Sequence, residues 1–92
     1  MKKPTRLPPL EIVEPQFGYD PITGEILKNG KPYGSNDRTS GERKVRCGGR
    51  VVNAARLAWL LFYRVDPINK KIEHINGIPT DNRIDNLRAV KL

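Results

Sequence analysis

Apolar positions along the chain fall into short alternating runs and one helical stripe. Phe17 and Tyr19 alternate with polar neighbours, Asp20-Pro21-Ile22-Thr23-Gly24 breaks the run, and Ile26-Leu27 resumes it. That is a hairpin pattern. Asn29-Gly30 signals a second turn. The stretch SNDRTSG, Ser35 to Gly41, is polar throughout and reads as a loop. In RKVRC, Val45 and Cys47 face one way while Lys44 and Arg46 face the other, and Gly48-Gly49 turns the chain into RVVN. The period changes at Asn53. Ala54, Leu57, Ala58 and Leu61 form one stripe flanked by Leu60, which predicts a helix from about Ala54 to Arg64 capped by Asn53. Trp59 lies opposite Leu57 on the helical wheel and is expected to pack a second face of a thin core. Ile72 to His74 and Leu87 to Val90 predict two short strands, joined by an Asn76-Gly77 turn and the polar loop IPTDNRIDN.

Arg56 is out of place for a helix of this kind. A cation in the first turn opposes the helix dipole. It is expected to be held by an acidic partner inside the fold; the alternative is that it points at an anion.

Composition changes the picture at the N-terminus. Four of the eight prolines are Pro4, Pro8, Pro9 and Pro15. So dense a run excludes a helix or a central strand. Residues 1–15 therefore read as a Pro-rich extended arm pinned by Leu10, Ile12 and Val13, or as a disordered tail. Residues 16–92 read as a single domain of α+β class, built of small β-hairpins plus one central helix. A core of this size is marginal, so a partner is expected to stabilise it. The lone Cys47 forms no internal disulfide, which fits a reducing, intracellular setting. No apolar run suits a signal peptide or a membrane span.

Charge adds a partner class. The net charge is +7, and between Arg38 and Arg56 there are six cations against one acid, Glu42. Clustered arginines suit planar contacts to phosphates and base edges. Arg43, Lys44, Arg46 and Arg50 are the first candidates, and Arg56, Arg83 and Arg88 extend the surface. Zinc-type Cys/His spacing, phosphate-cradling glycine loops and a serine nucleophile elbow are all missing from the sequence.

NAARLAWLLFYR followed by IEHINGIPTDNRIDNLRAV resembles the HNH endonucleases of phages, and FGYDPITGEIL resembles the hairpin that often precedes their site. The resemblance covers roughly Phe17 to Val90. It implies a ββα-metal unit that grips a divalent cation against a scissile phosphate. On that pattern His74 matches the general base, and Glu73 stands where the family has a metal-binding Asp. Asn86 matches the Asn that fixes the loop, and Asp81, Asn82 and Arg83 match the structural Asp-Asn-Arg run. Asn76 belongs to the same fold motif. Three departures stand out. Glu73 replaces Asp, and one extra methylene is enough to misplace a ligand. Ala55 replaces a His. The chain ends at Leu92, before the helix that carries the family's last metal ligand, so the unit is expected to be a truncated HNH-like ββ(α).

These departures lead to an expectation of binding without catalysis. The resemblance, the size and the charge together suggest a phage anti-CRISPR protein in the cytoplasm of a bacterial host cell. Its expected partner is a host ribonucleoprotein, a CRISPR surveillance complex, with its guide RNA or target DNA. No catalytic residue, metal or cofactor is expected on that reading. Under the alternative, an HNH endonuclease nicking DNA, His74 is the base, Glu73 a metal ligand and Mg2+ or Mn2+ the cofactor. A plain DNA-binding regulator ranks behind both, because the one good helix is mostly apolar.

Overall fold

The computed structural model describes residues 6–92, and its α+β architecture follows the pattern above. Two strands, β1 (Gly18–Tyr19) and β2 (Ile26–Lys28), pair across the Asp20–Gly24 turn. β2 pairs in turn with β3 (Lys31–Pro32) across Asn29-Gly30. The expected loop SNDRTSG contributes a strand after all. Ser35 and Asn36 form β4 and pair antiparallel with Lys44 and Arg43 of β5 (Arg43–Cys47). Two residues with polar side chains can pair through their backbone, and a pattern of apolar alternation does not register them. β5 then pairs with β6 (Arg50–Asn53). A separate ribbon joins β7 (Lys70–His74) to β8 (Leu87–Lys91), with the 3-10 turn Ile84–Asn86 leading into β8.

The main helix, α2, spans Ala54–Tyr63. Its start is set by Asn53, whose Oδ1 accepts from the backbone N–H groups of Ala55 at 2.8 Å and Arg56 at 3.1 Å. Such a cap contributes about 1 kcal/mol. Arg64 ends it in the left-handed conformation. Ala54, Ala55, Leu57, Ala58 and Leu60 are buried against Phe17, Ile26, Val45, Cys47, Val52 and Leu87. Ala55 thus belongs to the buried face. Trp59 is half-buried against this core, with its ring 4.3 Å from that of Tyr63.

The N-terminal segment differs from the extended arm expected of it. Leu10–Val13 form one helical turn, α1, because Pro9 and Pro15 fall at its edges and not inside it. Val13 is fully buried and Leu7 nearly so, whereas Ile12 is exposed. The part of the arm before residue 6 lies outside the described residues. Among the described residues no helix is long and apolar enough to cross a membrane.

Candidate nucleic-acid interface

The closing segment builds a rigid loop from its own side chains. Asn86 is nearly buried, and its Oδ1 accepts from the Asn76 backbone N–H at 3.0 Å. Its Nδ2 donates to Asn76 Oδ1 at 2.9 Å and to the Asp81 carbonyl at 2.8 Å. Asn76 Nδ2 donates to Asp81 Oδ2 at 2.8 Å, and its Oδ1 also accepts from the Ile78 N–H at 2.9 Å. Asp81 in turn receives Arg83 through Nε and Nη2, both at 2.8 Å. That bidentate contact holds the Asp81 carboxyl well below the usual carboxylate range and raises the Arg83 guanidinium. Asn and Asp dominate here because short polar side chains can satisfy turn backbone that no strand reaches.

His74 ends β7 opposite Leu87. Its Nε2 lies 2.7 Å from Oδ1 of Asn82, a residue only 2% exposed. With the Asn82 amide in this orientation, Nε2 is the donor to Oδ1. Asn82 is held from behind by residues that the charge and motif reading left out. The Tyr19 hydroxyl donates to the Asn82 carbonyl, and Ile84 N–H donates to the Pro21 carbonyl at 3.1 Å. Burial, together with the nearby Asp20 charge, raises the Tyr19 phenol above its ordinary range. Gly24 is buried at φ +83°, with its α-carbon packed directly on the Asn82-Arg83 backbone. The first hairpin is therefore a buttress for the loop that carries Asn82. The only sequence signal for it is the Tyr19-Asp20-Pro21-Ile22-Thr23-Gly24 run, which on its own says hairpin and not what the hairpin leans on.

Glu73 sits opposite Arg88 in the β7–β8 register, and Arg88 Nη2 donates to its Oε1 at 2.8 Å. One oxygen of the carboxylate in the position expected of a metal ligand is thus engaged by an exposed guanidinium. A hard divalent cation wants several oxygen ligands free to face it. Among the described residues no group of three or more His, Cys, Asp or Glu side chains could hold a metal ion.

The seven cations expected at the interface are dispersed. On β5, Arg46 and Lys44 share the solvent face, opposite Val51 and Asn53 of β6. Arg43 and Arg50 leave the other face, at its two ends. Arg43 Nη1 donates to Asn36 Oδ1 at 3.1 Å, Lys44 meets Glu42 at 3.2 Å, and Arg50 Nη2 donates to the Arg6 carbonyl at 2.6 Å. Exposed pairs of this kind are worth under about 1 kcal/mol and yield readily to a phosphate. Arg56 does not: its Nη1 and Nη2 hold the carbonyls of Lys70 and Pro67, both at 2.8 Å. The expected acidic partner gives way to these carbonyls. Asp66 is near enough to act by charge, but its Oδ2 accepts from Leu7 N–H. Desolvation lowers the Arg56 guanidinium, partly offset by Asp66. Arg56 ties the start of α2 to the chain entering β7 and is not a surface contact. Arg83 and Arg88 are paired with Asp81 and Glu73. Of the seven, Arg46 alone has no such partner among the described residues.

Among the described residues β7 pairs with no strand but β8, and its other edge, where Arg56 holds the Lys70 carbonyl, walls a cleft beside His74. Glu42 stands across it from Lys71, Ile72 and His74, with Asn53 and Arg56 at one end and Pro79 near the other.

Residues 52–91, from β6 through α2 to the end of β8, match the family model described as HNH endonuclease. No curated protein and no solved structure matches the chain.

Proposed function

Starting from residues 52–91 as a member of the HNH endonuclease family, we propose that this protein binds nucleic acid on the family scaffold without cutting it. The observation that carries the reading is the Glu73–Arg88 ion pair. It engages Oε1 of the carboxylate that the chemistry would need for a cation, while the buttressed loop around Asn82 and Asn86 keeps the scaffold's shape. Metal-assisted phosphodiester cleavage needs a cation to stabilise the developing charge, and a positioned base alone supplies only part of the acceleration. Arg46, with Lys44 and Arg43 released from their weak partners, contacts phosphates. Such binding falls steeply with salt.

The specific target we propose is a host ribonucleoprotein. A phage protein of this kind acts in the bacterial cytoplasm as an anti-CRISPR inhibitor, covering the guide RNA or target DNA of a CRISPR surveillance complex. Its basic charge and small size support this reading. The endonuclease alternative has one observation in its favour: the His74 ring is held in place through Nε2 by Asn82.

His74→Ala separates the two. In the binding reading the variant keeps the parent's affinity for DNA, RNA and a reconstituted guide-RNA complex within about twofold. A His74→Ala protein that binds normally but loses a DNA-nicking activity present in the parent would show the scaffold to be an enzyme.

A further inference from the structure

We propose that the end of the β7–β8 ribbon is a phosphate track, formed by Lys70 and Lys71 of β7 with Lys91 of β8 and running into the cleft beside His74. It rests on the nucleic-acid reading above and moves the centre of the contact surface from β5 to the ribbon. All three lysines are exposed, and none has an ion-pair partner among the described residues. Lys70 and Lys91 are directly opposed in the antiparallel register. Like charges at that position are destabilising in an isolated sheet, and an anion lying between them relieves the repulsion. Lys71 leaves the opposite face and lines the cleft with His74 and Glu42. Lys70 and Lys71 thus lead along β7 from its start toward the imidazole, with Lys91 beside that start. Strand geometry puts Lys71 about 10 Å from His74 along β7. By contrast, most of the arginines already hold protein acceptors. A compact ammonium on a flexible stem suits a backbone contact that reads no sequence.

The test is the full chain carrying Lys70→Gln, Lys71→Gln and Lys91→Gln together. Its binding to a short DNA duplex and to a single strand is followed from about 50 to 200 mM salt, with Arg46→Gln alongside. The triple variant is expected to lose at least tenfold in affinity at the lower salt. Its log–log salt slope should become shallower by roughly two, at about 0.7–0.9 per phosphate contact. Its thermal midpoint should hold or rise, because a like-charge pair has gone. Lys91→Glu alone, which replaces the repulsion by an attraction, should weaken binding while raising that midpoint. Unchanged affinity and slope in the triple variant, with binding lost in Arg46→Gln, would overturn the track and leave the nucleic-acid reading standing. Unchanged binding with new self-association would also overturn it, giving the lysines the task of keeping an edge strand from pairing. If the parent chain binds neither DNA nor RNA, both proposals fall together.

Discussion

Gly24→Ala is expected to melt roughly 10–20 °C below the parent chain. Gly24 sits at φ +83°, where a side chain costs of order 1–3 kcal/mol in backbone strain. An added Cβ would also fall inside contact distance of the Arg83 nitrogen and lie 2.6 Å from the Asn82 carbonyl carbon. Backbone on both sides cannot give way as a flexible side chain would, so overpacking adds about 1–2 kcal/mol. A chain of this length has only on the order of 5–10 kcal/mol in total. Gly30→Ala is the control. Gly30 has a similar φ of +76°, but a Cβ there meets nothing within 4 Å. The difference between the two variants in calorimetric midpoint isolates the hairpin-on-loop packing. Equal losses would mean that the first hairpin does not buttress the Asn82 loop.

The second large effect belongs to Asn86. Asn86→Ala removes three hydrogen bonds at once and strands the Asn76 N–H and the Asp81 carbonyl. Unpaired buried backbone groups cost about 1–3 kcal/mol each; these two are partly exposed, so urea unfolding should show a loss of roughly 2 kcal/mol. The His74 ring resonances should broaden or shift, because Asn82 lies on the same loop. Asn86→Asp keeps the acceptor but not the donors, and should fall between parent and alanine variant. A loss under about 0.5 kcal/mol for Asn86→Ala would mean that the loop is held by the Asp81–Arg83 pair alone.

These two residues mark what was legible in the sequence and what was not. The helix and its Asn53 cap, the β5 alternation and the closing pair of strands all follow from local periodicity, and the structure places them within a residue or two. The Asn and Asp positions of the closing loop come from the resemblance, and the structure joins Asn76, Asp81 and Asn86 in one network. What escaped were relations between distant segments. Tyr19 reaches Asn82 across 63 positions of chain, and Gly24 packs on Arg83. No window of sequence brings them together. Arg56 was suspicious for the right reason, its place in the first turn of α2. Its partners, however, are backbone carbonyls at Pro67 and Lys70, which carry no side-chain signature. Counting charge along the chain also favoured the arginine-rich stretch. It passed over Lys70, Lys71 and Lys91, which become one surface only through the β7–β8 register.

The same register sets Arg88 against Glu73, the contact on which the proposal of binding without cutting rests. Freeing that carboxylate would require breaking a pair that the strand pairing itself aligns.

The most direct test incubates the parent chain at high concentration with supercoiled plasmid in Mg2+ and, separately, Mn2+. Binding to the same plasmid is measured in parallel by mobility shift. The account predicts a salt-sensitive complex with the plasmid still supercoiled in both metals. Nicked or linear product that depends on the metal would contradict it, above all if it disappears in His74→Ala.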